Sequence, residues 1–165
     1  MPSARLIPLV VLAVAIPVAV AFVRHRPVPL PAAGTVVRAV DGDTIIVRAE
    51  GRDWDVRLLG IDTPETVDPR KPVQCYGPEA SHFTKHLVTG RRVVLRYDRE
   101  QHDRYGRVLA YVYLASGQDR FVNGRLVRLG YARTFPFAPN TEHAAELAAL
   151  EREAALAGRG LWSAC

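Results

Sequence analysis

Gly34-Thr35-Val36-Val37-Arg38-Ala39-Val40, Asp41-Gly42-Asp43 and Thr44-Ile45-Ile46-Val47-Arg48 follow one another as a β-branched run, a turn and a second β-branched run. That is the pattern of a hairpin. A further turn around Glu50-Gly51-Arg52-Asp53 leads into Trp54 to Ile61, so a third strand follows by a short connection. Gly60 inside this third strand marks a bulge or a close backbone approach, where barrels bend and sites are often built.

Downstream, Gly77-Pro78-Glu79-Ala80 starts a helix with proline and an acidic residue in its first turn. Ala80, Phe83, Thr84 and Leu87 share its inner face, His82, Lys85 and His86 its outer one, and Gly90 ends it. Arg91 to Asp98 and Arg107 to Leu114 read as the fourth and fifth strands, joined by the long charged link Arg99 to Gly106. Phe121 to Leu129 is helical up to Gly130. A last helix is expected from a cap at Asn140 or Thr141 through Leu156, after which Leu161 and Trp162 fold back onto the body. Five strands with a helix between the third and fourth and helices at the end make an α+β fold, a five-stranded OB-type β-barrel with about three α-helices. In that architecture nucleic acid binds on the second and third strands and the loops beside them.

The end of the third strand carries the chemistry. Arg57-Leu58-Leu59-Gly60-Ile61-Asp62-Thr63-Pro64-Glu65 puts a guanidinium, two carboxylates and a forced turn within nine residues. A charged fork in apolar company is costly unless an anion meets it, and phosphate is such an anion. Asp62 and Glu65 offer the hard oxygens that Ca²⁺ or Mg²⁺ prefers, and Pro64 biases Thr63 to an extended shape in which its carbonyl can face a cation too. Glu65 either ligates the ion or holds a water against phosphorus. Asp43, at a glycine-containing hairpin tip, is the best candidate to join Asp62 at the metal. Asp103-Arg104-Tyr105-Gly106-Arg107 adds a second forked cation, with Tyr105 able to hydrogen-bond or stack beside it. Each cluster alone has a plainer explanation: turn chemistry for Asp-Gly, a solvated strand end for the arginines.

Taken together, Val40-Asp41-Gly42-Asp43-Thr44, Arg57 to Glu65, Tyr76-Gly77-Pro78-Glu79-Ala80 and Asp103 to Arg107 resemble, in order, the thermonuclease family of staphylococcal nuclease type. The likeness covers roughly Gly34 to Trp162. It implies an OB-type barrel with three helices and Ca²⁺-dependent hydrolysis of DNA and RNA at the P–O5′ bond, leaving 3′-phosphate ends. By position, Asp43, Asp62 and the Thr63 carbonyl would bind Ca²⁺, and Glu65 would position or deprotonate the attacking water. Arg57 and Arg107 would hold the phosphate, while Arg104 and Tyr105 would contact the nucleotide's terminal phosphate. One departure stands out: where the family has a stacking tyrosine, this chain has Phe135-Pro136-Phe137, in a segment one residue shorter. Phenylalanine keeps the stacking face and loses the hydroxyl.

Leu6 to Val23 is almost wholly apolar and uncharged, bounded by Arg5 and by Arg24-His25-Arg26. Pro8 and Pro17 argue against a buried soluble helix. Residues 1–26 therefore read as a signal peptide, with Ala19-Val20-Ala21 as a cleavage site, or as a retained membrane anchor. Residues 27–33 are a proline-rich linker and 34–165 the nuclease domain, expected outside the cytoplasm, secreted or anchored. Residues 1–33 hold three of the 22 basic residues and none of the 17 acidic ones, so the whole-chain charge of +5 falls to +2 without them. Affinity for flexible or single-stranded DNA and RNA must then come from where the arginines cluster. Cys75 and Cys165 lack the close spacing of a zinc clip. They read as one disulfide, which export favours, or as two free thiols.

A non-catalytic OB module that binds single strands or a protein partner is the competing function. Such a binder has no use for Asp43, Asp62, Glu65, Arg57 and Arg107 together, and a monomeric hydrolase does.

Overall fold

The computed structural model describes residues 28–66 and 72–165; Leu6 to Val23 and the basic pair Arg70-Lys71 lie outside them. Strands β1 (Ala33–Ala39), β2 (Thr44–Ala49), β3 (Arg52–Leu58), β5 (Arg92–Arg96) and β6 (Val108–Leu114) close a barrel in the order β1-β2-β3-β6-β5. Closure leaves none of these five with an unpaired edge. All neighbours are antiparallel except β3 and β6, which run parallel. A register shift between Val36 and Arg38 marks a bulge in β1, whose residues 33–35 pair with β5 while residues 35–39 pair with β2.

The interior follows from alternation along the strands. Val36, Ile45, Val47, Val56, Val93 and Val112 are fully buried. Helices α1 (Gly77–Val88) and α2 (Val122–Arg128) contribute Leu87, Val88 and Leu126 to the same core. Helix α3 (Ala144–Leu156) adds Leu147, and the single turn α4 (Leu161–Ala164) adds Leu161. Cys75 and Cys165 are joined in a disulfide, with Cα atoms 6.0 Å apart, tying the C-terminus to the segment before α1.

Three details differ from the sequence reading. The third strand stops at Leu58 instead of running to Ile61, because Gly60 turns the chain with φ +75°. A Cβ there would lie 2.6 Å from Leu147 Cδ1, so both the conformation and the space call for glycine. Beyond the turn, β4 (Ile61–Asp62) pairs with β7 (Arg133–Thr134) in a separate two-stranded ladder. The last long helix begins at Ala144, not at a cap from Asn140 or Thr141; the Asn140 amide is instead engaged with the Glu100 backbone, accepting its N–H at 2.8 Å and donating to its carbonyl at 2.9 Å. With α4 the helices number four among the described residues.

Candidate active site

Register brings the pieces together. The β2–β3 ladder sets Thr44 opposite Arg57, and the Leu58 N–H donates to the Asp43 carbonyl at 2.8 Å. The parallel β3–β6 ladder sets Arg57 beside Leu109, so residues 103–107 arrive next to the end of β3. The β4–β7 pair and the bond from Phe135 N–H to the Gly60 carbonyl, 2.9 Å, bring in the Phe135 segment. A cleft of about 780 Å³ results. It is lined by Asp43, Arg57, Asp62, Thr63, Glu65, Arg104, Tyr105, Arg107, Phe135 and Phe137, together with Asp41 and Glu100. Every residue singled out for the metal, the phosphate or the nucleotide therefore faces one concavity.

Arg57 is the hub. Its side chain is only 15% exposed, and its Nη1 lies 3.0 Å from Asp43 Oδ1 and also donates to the Ile61 carbonyl at 3.0 Å. Its Nη2 donates to Asp62 Oδ1 at 2.9 Å. A nearly buried guanidinium is tolerable only with such partners. Two carboxylates, one from the turn between β1 and β2 and one from β4, thus converge on one cation.

Asp43 is held from several sides. The Thr63 N–H and hydroxyl donate to its Oδ2 at 2.8 and 3.0 Å, and the Thr44 hydroxyl donates to Oδ1 at 3.2 Å. Thr63 is itself buried. Gly42 is needed for room: a Cβ there would come within 2.6 Å of Thr63 Oγ1. Asp41 shapes the turn by accepting the N–H groups of Asp43 and Thr44, at 3.0 and 2.7 Å. Burial pushes its carboxyl up to about 6 and the Asp43 charge adds to this, against the pull of those two N–H groups and Arg57. Negative charge is crowded at this corner.

Glu65 stands where β4 hands over to the loop before α1. Its N–H donates to Gln74 Oε1 at 2.9 Å, its carbonyl accepts from Gln74 N–H at 3.0 Å, and its Oε1 accepts the Thr66 N–H at 2.9 Å. The start of α1 lies directly on this backbone, since a Cβ on Gly77 would be 3.1 Å from the carbonyls of Pro64 and Glu65.

Across the cleft, Asp103 grips Arg107 through Nε at 2.7 Å and accepts the N–H groups of Tyr105 and Arg107 at 2.9 and 3.0 Å. Arg104 donates to the Tyr105 hydroxyl at 2.6 Å, and the Arg107 guanidinium lies 5.5 Å from the Tyr105 ring centre. Tyr105 both hydrogen-bonds and offers a cation-facing ring, and at 68% exposure it is open to a ligand. Phe135 and Phe137 are also exposed.

The oxygen atoms of Asp43, Asp62 and the Thr63 carbonyl suit a hard divalent cation, and the crowded charge at Asp41 and Asp43 favours one. Among the described residues no three His, Cys, Asp or Glu side chains are grouped to hold a metal by themselves. Two carboxylates and one carbonyl would leave the rest of the shell to water.

Three residues build this geometry through bonds that sequence reasoning did not assign. Asn123 sits inside α2, fully buried, and its amide donates to the Leu59 carbonyl at 2.8 Å while accepting the Val112 N–H at 2.9 Å. Its one visible signal was an amide in an otherwise apolar helical face. Asn140 reaches Glu100 across forty positions, and Glu100 lines the cleft. Thr84 is buried on the inner face of α1, as its spacing indicates, and from there its hydroxyl donates to a backbone carbonyl in the Asp41–Asp43 turn.

The family model described as staphylococcal nuclease homologue matches residues 55–164. A thermonuclease of Staphylococcus hyicus is 44% identical over 128 residues, covering 78% of this chain and 74% of that protein. A thermonuclease of Staphylococcus intermedius is 46% identical over 127 residues, 77% of this chain and 74% of that protein. Endonuclease YncB of Bacillus subtilis (strain 168) is 40% identical over 131 residues, 78% of this chain and 61% of that protein.

Proposed function

Because the chain belongs to the staphylococcal nuclease family and is a phosphodiester hydrolase, we propose that it is a Ca²⁺-dependent endonuclease of flexible DNA and RNA that leaves 3′-phosphate ends. The observation that carries this reading is that two aspartates, a buried threonine, a glutamate and two arginines, from the β1–β2 turn, β3, the end of β4 and the β5–β6 link, line one cleft. In this reading Asp43, Asp62 and the Thr63 carbonyl hold Ca²⁺, which supplies positive charge at the scissile phosphate. Glu65 orients a water and takes its proton as the water oxygen bonds to phosphorus and the P–O5′ bond breaks. The departing O5′ takes a proton from solvent. Arg57 and Arg107 face the phosphoryl oxygens as negative charge builds on them. Tyr105 and Arg104 meet the neighbouring phosphate, and Phe135 and Phe137 stack on bases.

The enzyme is further proposed to act as a monomer outside the cytoplasm, secreted or anchored by residues 1–26. The Cys75–Cys165 disulfide supports an oxidising compartment. Among the described residues no helix is long and apolar enough to cross a membrane.

The full chain is expected to release acid-soluble nucleotides from heat-denatured DNA when Ca²⁺ is supplied and to stop when a chelator is added. Its products should serve as polymerase primers only after phosphatase treatment. Activity that survives chelation would remove the metal role, and products extended without phosphatase would reverse the assignment of the cleaved bond.

A further inference from the structure

α1 carries two histidines one turn apart, His82 and His86, both exposed. Their Nε2 atoms lie 3.1 Å apart, and the ring centroids are separated by 4.3 Å with planes inclined at 60°. Residues four apart on a helix are neighbours, so the backbone spaces the two rings. The rotation of α1 is fixed from its other side. Ala80, Leu87 and Val88 are buried, and the Thr84 hydroxyl is bonded to the Gly42 carbonyl at 2.7 Å.

Imidazole nitrogens bind Zn²⁺ at about 2.0–2.1 Å, so two donors at this separation subtend roughly 100° at a shared ion. That angle lies between the right angle of a square or octahedral shell and the tetrahedral one. The rings open onto a depression of about 380 Å³ that Glu79, Phe83 and Tyr131 also line, which leaves room for an ion and its waters. We propose that His82 and His86 form a two-nitrogen site for a divalent transition ion, Zn²⁺, Cu²⁺ or Ni²⁺, clipping one turn of α1.

The site is distinct in chemistry from the catalytic cleft. Imidazole selects transition ions, whereas the carboxylates and carbonyl of the cleft suit hard cations such as Ca²⁺. Its two ligands come together only while α1 is helical, so binding favours the folded chain. Thr84 lies between the two ligands in sequence and holds the Asp41–Asp43 turn. The clip therefore braces the helical turn to which the cleft's carboxylate loop is fastened.

The test uses the full chain without an affinity tag, stripped of metal by a chelator and titrated with Cu²⁺ and with Ni²⁺ by calorimetry. One high-affinity site is expected, with nitrogen superhyperfine structure in the Cu²⁺ electron paramagnetic resonance spectrum and a rise in Tm of several degrees at excess metal. His82→Ala and His86→Ala should each weaken binding by at least about tenfold, the lower end of what losing even an indirect contact to a metal costs, and remove the rise in Tm. His102→Ala should leave both unchanged. Both rings are exposed, so their removal leaves the core intact, and His82→Gln and His86→Gln with matching circular dichroism serve as a second pair. If the single variants bind Cu²⁺ as tightly as the parent, or the parent's Tm does not respond, the 3.1 Å approach is a hydrogen bond between rings and the site does not exist.

Discussion

The Thr84 hydroxyl, in α1, donates to the carbonyl of Gly42, in the β1–β2 turn, at 2.7 Å across forty-two positions of sequence. The bond fastens the loop that aims Asp43 to a helix whose first turn lies on the backbone of Glu65. Thr84→Val keeps the shape and leaves that carbonyl without its donor, at a cost of about 1–3 kcal/mol. Urea unfolding should show the loss. At temperatures where the variant remains folded, its Ca²⁺ requirement for nuclease activity should rise, and an unchanged Ca²⁺ titration would confine Thr84 to stability.

Glu65→Gln tests the proton acceptor. The amide preserves volume and an oxygen to accept the Thr66 N–H, so the fold is left in place. Turnover on denatured DNA should fall by about 10²–10⁴-fold, the usual contribution of a positioned base. KM should change little, and the urea midpoint should move by less than about 0.5 kcal/mol in equivalent stability. A variant that keeps its turnover while its near-ultraviolet spectrum is unchanged would make Glu65 a bystander.

The barrel and much of the cleft were readable because their signals are local. β-Branched runs, an Asp-Gly turn and a Pro-Glu helix start each act within a few residues, and the parallel register of β3 and β6 then brings Arg57 and residues 103–107 together. The β4–β7 ladder was not readable, since two-residue strands have no period to detect. The start of α3 was misjudged for a related reason. Asn140 has the chemistry of a helix cap, and only the fold reveals that Glu100 competes for its amide. Asn123, and the partner of the inward-facing Thr84, were missed because the bonds run to backbone atoms far away in sequence, which residue type alone does not specify.

Asp103 sets a pH dependence. Burial would raise its carboxyl, but the Arg107 side chain and the N–H groups of Arg107 and Tyr105 outweigh that and hold it below the ordinary 3.8. The folded state thus binds this proton less readily than the unfolded chain. Its stabilisation is complete above the unfolded value and is lost as pH falls through the folded one. Asp103→Asn keeps an oxygen for the two backbone N–H groups and removes the charge. The stability gap between parent and variant, measured in urea, should be largest near pH 7 and shrink by pH 3. A gap independent of pH would mean that the charge contributes nothing.

Asn123 offers the sharpest separation of positioning from packing. Its amide bridges Leu59, the first residue beyond β3, and Val112, in the middle of β6, at 2.8 and 2.9 Å. The Leu59 N–H is already bonded to Ala110, so Asn123 completes the pairing of that peptide just before the Gly60 turn. From that turn the chain runs into Ile61, Asp62 and Thr63, which line the cleft. Asn123→Leu fits a similar volume but leaves a buried donor and a buried acceptor unpaired, each costing about 1–3 kcal/mol. Stability should drop accordingly, and a role confined to stability would end there. If the amide also sets the angle at which Asp62 enters the cleft, then in the cold, where the variant is fully folded, kcat should still be reduced and half-saturation by Ca²⁺ shifted to higher concentration. Asn123→Asp keeps the acceptor for Val112 and sets a carboxylate against the Leu59 carbonyl, so its Ca²⁺ half-saturation should shift the same way. Full kcat in both folded variants would show that the β3–β4 turn holds its shape without the amide.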